Sequence, residues 1–114
     1  MRLQQCGKCP WRKDVDPRDI PDGYCEDLHR GLASTIAEPG TLDLGTLRLM
    51  ACHETAAGDE QPCVGWLAHQ LGEGNNIALR MWFARECREG RGGALRLVGE
   101  QHSCFEDTLP AEEP

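Results

Sequence analysis

Two pairs of cysteines, one near the start of the chain and one in its middle, constrain the fold of this sequence most. Cys6 and Cys9 are separated by a Gly-Lys turn, so both thiols can point at one centre, and Cys52 and Cys63 are the best candidates for a second pair. A tetrahedral metal site needs four ligands, and structural zinc sites often take them from two distant pairs. The spacing therefore predicts a metal site that ties the first ten residues to the middle of the chain.

The composition gives a physical reason for such a site. The chain has 114 residues, of which 39% are hydrophobic, and its 13 glycines and 7 prolines predict many turns. A chain of this length forms one domain and buries a small share of its surface, so a structural metal can supply stability that the core lacks. We expect a single metal-stapled domain over residues 1–105 and an acidic, flexible tail over residues 106–114.

The cysteine count and the hydrophobic pattern suggest a reducing compartment. Seven cysteines cannot all pair in disulfides, and the first residues lack the apolar segment of a secretory signal. The sequence also lacks an apolar run near the roughly 20 residues of a membrane span. We therefore expect a cytoplasmic protein with no membrane partner, in which clustered cysteines bind metal.

Periodicity predicts a small α+β fold with two or three helices and a few short antiparallel strands. Apolar residues recur at helical spacing over residues 24–38, 62–72 and 75–89, with Asn75 or Asn76 as the cap of the third helix. This third helix is apolar on two sides, so we expect it to lie at the centre of the core. Apolar and polar residues alternate over residues 41–52 and 94–99, which predicts strands.

The identity of the metal and of one ligand stays open at this point. Cys6, Cys9, Cys52 and Cys63 are the predicted ligands, with zinc as the favoured metal and an iron–sulfur cluster as the alternative. His53 follows Cys52 directly. Neighbouring residues of an extended segment point in opposite directions, so His53 is expected to support the site from a second shell or to replace one ligand. The residues expected to flank the site are Trp11, Arg12 and Trp66.

The sequence gives no set of residues typical of a catalytic site. A thioredoxin-like role requires the CxxC motif at the start of a helix after a strand, and only five residues precede Cys6. A hydrolytic zinc site uses His and carboxylate ligands with one open position, and a deaminase site uses the motifs His-x-Glu and Pro-Cys-x-x-Cys. We therefore do not expect an enzyme.

The net charge of −7 bears on possible partners. It disfavours broad binding to a nucleic-acid backbone and is compatible with docking on a protein that has a basic surface. Two alternatives remain. One is a zinc-dependent nucleic-acid-binding regulator that uses a local basic and aromatic patch, and the other is an iron–sulfur or redox sensor. The patch consists of Lys8, Trp11, Arg12 and Lys13.

Several motifs together resemble a family of small uncharacterised proteins common in phages, prophages and their bacterial hosts. The motifs are Cys-Gly-Lys-Cys-Pro-Trp-Arg at 6–12, Met-Ala-Cys-His at 50–53, Cys-Val-Gly-Trp at 63–66, residues 74–80 and, more loosely, residues 105–110. The resemblance implies that the family positions are Cys6, Cys9, Cys52 and Cys63, and that Cys25, Cys87 and Cys104 are additional.

The resemblance implies the positions of the site cysteines and leaves the biological role of the protein open. Together with the small size and the acidic charge, it suggests a phage- or prophage-encoded interaction protein in the cytoplasm of a bacterial cell. One form of this hypothesis is an acidic inhibitor that docks on a basic surface of a host defence complex.

Overall fold

Short helices joined by irregular segments make up the protein. The computed structural model describes residues 1–20, 24–42, 47–55, 58 and 60–110. Three α-helices are present there: α1 (Glu26–Gly31), α2 (Val64–Leu71) and α3 (Ile77–Arg88). Three short 3-10 helices span Pro17–Asp19, Leu32–Thr35 and Phe105–Thr108. Within these described ranges no helix is long and apolar enough to cross a membrane.

The predicted α+β class with antiparallel strands is wrong. The described residues contain no strand, only isolated bridges. In the segment 94–99 a bridge joins Arg96 to Gln4. In the segment 41–52 another bridge joins Ala51 to Pro62, and residues 43–46 of this segment lie outside the described residues. Within the described residues, the alternating segments cover only some of their apolar side chains, and each segment is paired through a single bridge. Leu49, Leu97 and Val98 are all exposed.

The first predicted helix is shorter than its periodicity suggested. Helix α1 ends at Gly31 and continues as the 3-10 helix Leu32–Thr35. The Thr35 hydroxyl donates to the carbonyl oxygen of Leu32 at 2.7 Å, and such a local bond competes with the helical backbone pattern. Leu28, part of the predicted apolar face, is 75% exposed.

The end of α2 and the start of α3 follow their local signals. Helix α2 ends before Gly72, as predicted, but it begins at Val64, with Cys63 as its N-cap, and not at the predicted Pro62. Asn76 caps α3, and its side-chain oxygen accepts a hydrogen bond from the backbone N–H of Leu79 at 3.1 Å.

The core is built on α2, and the prediction that α3 lies at its centre is wrong. Helix α2 buries Trp66 and Leu67 completely. Helix α3 buries only Ala78 and Leu79, and its Met81 is 51% exposed. Apolar residues on two faces of a helix therefore did not identify a buried helix, because one of these faces remains in solvent.

A buried glutamine joins α2 to its neighbours. The Gln70 side-chain oxygen accepts hydrogen bonds from the backbone N–H of Ala37 and from the Asn76 amide, both at 3.1 Å. The indole N–H of Trp66 donates to the Thr35 carbonyl at 3.1 Å. Because these polar groups are buried and paired, they fix the position of the segment before α2 without exposing the core to water.

Two backbone bridges hold the CxxC turn at residues 6–9 from both sides. Gln4 pairs with Arg96 in parallel, and Arg12 pairs with Gln101 in antiparallel orientation. The side chains of Gln5 and Gln101 add a hydrogen bond of 2.7 Å between the same two segments. The turn is therefore positioned by a part of the chain about 90 residues away.

A buried histidine links α1 to the C-terminal 3-10 helix. His29 Nδ1 lies 2.6 Å from the Tyr24 hydroxyl, and His29 Nε2 lies 3.1 Å from Thr108 Oγ1. Thr108 donates its own proton to the Phe105 carbonyl at 2.6 Å. Thr108 Oγ1 must therefore accept from His29 Nε2–H, and Nδ1 of the neutral ring accepts from Tyr24.

This arrangement predicts a loss of stability in acid. Burial first, and the charge of Arg30 second, lower the pKa of His29 below its usual value in the folded state. The unfolded chain then binds a proton more readily than the folded chain, so the contribution of neutral His29 is complete above about pH 6.5 and is lost as the pH falls below it. We expect the free energy of unfolding to decrease between about pH 7.5 and about pH 5.

The variant His29→Gln tests the origin of this dependence. Denaturant unfolding at both pH values should show that the free energy of unfolding falls less with pH in the variant than in the natural chain. Burial also lowers the pKa of His102, so a residual dependence is expected in both proteins. An equal loss in the two proteins would exclude His29 as the group responsible.

Candidate metal centre

Four cysteines from three separate segments meet in the core. Their side chains are at most 5% exposed, and all belong to one buried cluster with Trp11, Trp66 and Leu67. The four are Cys6, Cys9, Cys52 and Cys63. The structure thus brings into one buried cluster the residues that the sequence analysis chose as ligands.

The first pair lies on the turn between the two bridges. A second turn follows it directly and is closed by a backbone hydrogen bond of 3.1 Å from the Arg12 N–H to the Cys9 carbonyl. The Arg12 guanidinium binds both carboxylate oxygens of Asp14, at 2.9 and 2.6 Å, and the carbonyl of Gly7 at 3.2 Å. Arg12 therefore stabilises the turn by binding the Asp14 carboxylate and the Gly7 carbonyl oxygen.

The second pair is brought together by its own backbone bridge. Cys52 donates its backbone N–H to Gln61, and Cys63 donates to Met50, both at 2.7 Å. This antiparallel contact explains how two cysteines separated by ten residues act as neighbours. Cys63 is also the N-cap residue of α2, and its carbonyl accepts from Leu67 at 2.9 Å.

The sulfur atoms of the two pairs are in contact. Cys9 Sγ lies 3.6 Å from Cys63 Sγ. Two thiolates on one tetrahedral zinc ion, each bound at about 2.3 Å, are separated by about 3.8 Å, so this contact has the length of a ligand–ligand edge. The pKa of the Cys6 thiol responds to both Cys9 and Cys52, which links Cys6 and Cys52 to this edge.

A second group of donor atoms adjoins Cys6 on the outer side of the cluster. His53 Nε2 lies 3.3 Å from Cys6 Sγ, and the donor atoms of Cys6, His53 and Glu54 all lie within 4.8 Å of one another. This group could hold a metal ion. The sequence analysis considered His53 as a supporting or alternative ligand, and the structure places it against Cys6.

Two residues of this outer region, Glu54 and Arg2, were missed from the sequence. Arg2 Nη2 pairs with Glu54 at 3.1 Å, and Arg2 Nη1 lies 3.9 Å from Cys52 Sγ. The sequence offers only one signal for Glu54, which is its position directly after Cys52 and His53. Arg2 offers none, because its partners are about 50 residues away.

Contacts among the thiols, together with burial, raise the pKa of three of the four cysteines. Contact with Cys52 lowers the pKa of Cys6, but contact with Cys9 and burial outweigh it and raise the pKa to about 11. Contact with Cys6 lowers the pKa of Cys9, while contact with Cys63 and burial raise it to about 12. Contact with Cys6 and burial also raise the pKa of Cys52. A bound cation would supply the charge that stabilises the thiolates, with release of their protons.

The expected flanking tryptophans are both completely buried. Trp11 stacks on the ring of His69 at a centroid distance of 4.7 Å, and the Trp66 indole is bonded to Thr35 as described above. Since Trp11 has no exposed surface, it cannot stack on a nucleobase in the patch suggested for a nucleic-acid partner.

The three remaining cysteines lie outside the buried cluster. Cys25 and Cys87 are exposed, and Cys104 is partly buried. This separation agrees with the interpretation of these residues as additional to the ligand positions. They also provide control positions for experiments on the site.

The close packing at Gly65 gives a prediction for the inner side of the site. A Cβ atom there would lie 2.6 Å from Trp11 Cβ and 2.8 Å from Cys9 Sγ. We expect Gly65→Ala to reduce the free energy of unfolding by about 1–3 kcal/mol through overpacking. The control is Gly31→Ala, since a Cβ at Gly31 meets nothing within 4 Å. Equal stability of the two variants in denaturant unfolding would contradict the packing described here.

Comparison with known proteins found a family match that covers most of the chain. The model of a protein family of unknown function matches residues 1–103. No curated protein and no solved structure matches the chain.

Proposed function

The chain belongs to the family of unknown function DUF6283, and from that premise we propose that it is a small interaction protein whose fold is held by one structural zinc ion. The proposed ligands are Cys6, Cys9, Cys52 and Cys63. The observation that carries the proposal is the meeting of these thiols, which are far apart in sequence, in one buried cluster. Thiolates are the ligands that structural zinc sites use most.

The contact distance favours a single ion over a [4Fe–4S] cluster. Cys9 and Cys63 lie at the separation of two ligands on a single tetrahedral ion. In a [4Fe–4S] cluster each cysteine binds a different iron atom, so the sulfur atoms would lie farther apart than the observed 3.6 Å. Zinc is also redox-inactive, so its binding does not depend on an oxidation state.

The role of the ion would be structural. The described part of the chain has no sheet, and its core depends on one central helix. Four protein ligands leave no open position for a substrate, so the proposed ion would stabilise the fold without catalysing a reaction. The proposal therefore includes no enzymatic activity.

Metal analysis tests this proposal directly. We expect about one tightly bound zinc per chain, with Cys9→Ser and Cys63→Ser losing both the metal and the cooperative thermal transition. Cys87→Ser should keep both, because Cys87 is exposed and outside the cluster. Protein that contains no metal and folds equally well without it would refute the proposal, and iron in place of zinc would point to the sensor alternative.

The interaction role rests on charge and on an uncovered apolar residue. The chain carries a net charge of −7, and Leu28 is exposed on α1 beside Asp27. Acidic groups next to an apolar side chain suit a partner with a basic surface. An origin in a phage or prophage, and action as an inhibitor of a host defence complex, are further parts of this proposal that follow from the resemblance described above.

A salt-dependent capture experiment tests the partner. The immobilised zinc-loaded protein should retain basic proteins from a bacterial lysate at low salt and release them as the salt concentration rises. The variant Asp19→Asn/Asp27→Asn, which removes two exposed carboxylates, should retain less. Retention that is unchanged by salt and by the variant, or the absence of any basic protein, would contradict the expected partner.

A further inference from the structure

We propose that Cys6, His53 and Glu54 form a second metal site, weaker and more exchangeable than the first, with the Cys6 thiolate shared between the two ions. The inference rests on the proposed four-thiolate zinc site and extends it outward. The site would take a divalent cation of intermediate softness, such as Zn²⁺ or Co²⁺, since its donors are one sulfur, one nitrogen and one oxygen.

The geometry of the outer group supports this site. A zinc ion bound to one sulfur and one imidazole nitrogen separates these atoms by about 3.5 Å. The distance between Cys6 Sγ and His53 Nε2 is 3.3 Å. The Glu54 carboxylate completes a group of three donor atoms that lie within 4.8 Å of one another. These separations suit binding to one ion without rearrangement of the backbone.

The charge of the inner site also favours a second cation. Four thiolates on one divalent ion carry a net charge of −2, and the low local dielectric strengthens their attraction for a nearby positive charge. A metal-bound thiolate keeps free electron pairs, so Cys6 can bind the second ion while it remains on the first. His53 is neutral when it acts as a ligand, and Glu54 contributes one further negative charge.

The guanidinium of Arg2 is the cation that competes with a second metal ion for Glu54. Its guanidinium pairs with Glu54 at 3.1 Å and lies 3.9 Å from Cys52 Sγ. It therefore neutralises part of the charge on the outer side of the cluster in the absence of a second ion. Binding of that ion at Glu54 must displace this pair, so Arg2 is expected to lower the affinity of the outer site.

The exposure of the outer group explains why the second ion would exchange more readily. The Glu54 side chain is 36% exposed, whereas Cys9 and Cys63 are buried. Only three protein ligands are available, so water can complete the coordination shell. An ion in such a site is accessible to chelators, and the inner ion is enclosed by the core.

The metal-free chain, which is expected to fold as its first equivalent of metal binds, is titrated with Co²⁺ or Zn²⁺ to test the site, with visible spectroscopy for Co²⁺ and calorimetry for both. We expect about two equivalents to bind, the first tightly and the second weakly. Glu54→Gln and His53→Ala should weaken only the second equivalent, by at least about tenfold. Arg2→Gln should strengthen the binding of the second equivalent severalfold. Glu60→Gln, which removes an exposed carboxylate of the same loop, should leave the affinity for both equivalents unchanged.

The possible outcomes separate this proposal from the one on which it rests. A single tight equivalent that Glu54→Gln and His53→Ala leave unchanged would overturn the outer site and leave the inner site standing. A single equivalent that His53→Ala weakens would make His53 a ligand of one mononuclear site and would also overturn the outer site. No binding by the natural chain would overturn both proposals.

Discussion

The burial of four thiols at the centre of a small core is the constraint on which the rest of the structure depends. Positions that aliphatic side chains would fill in a typical domain are occupied by sulfur atoms. As uncharged thiols they contribute only modest packing, but as thiolates around the proposed cation they would form bonds that join three segments of the chain. The backbone bridges at Gln4, Arg12 and Ala51 hold the segments that carry these cysteines, and none of them extends into a strand.

The two sides of the thiol cluster have different chemical character. On the inner side, Cys9 and Cys63 contact each other near Gly65 and the start of α2, where a Cβ atom at position 65 would lie 2.8 Å from Cys9 Sγ. On the outer side, Cys6 and Cys52 lie near the imidazole of His53 and the guanidinium of Arg2. The inner side of the cluster is therefore suited to stabilising the fold, and the outer side is suited to exchanging a bound ion with solvent.

Features with a local cause could be predicted from the sequence, and most features that depend on distant contacts could not. The cap at Asn76 and the end of α2 at Gly72 follow from single residues. The grouping of the four cysteines is a distant contact that their residue type and spacing nevertheless suggested. The strands were wrong because alternation predicts an extended segment but supplies no partner for it. The centre of the core was misplaced because α3 is covered on one side only, and Arg2 was missed because its partners are about 50 residues away.

The bridges around the CxxC turn also determine when the fold can form during synthesis. Cys6 and Cys9 leave the ribosome about 90 residues before the segments that hold them, at Arg96 and Gln101. Contacts of such large sequence separation form late and slowly. Until those segments have been synthesised, the thiols of Cys6 and Cys9 therefore lack their native supports.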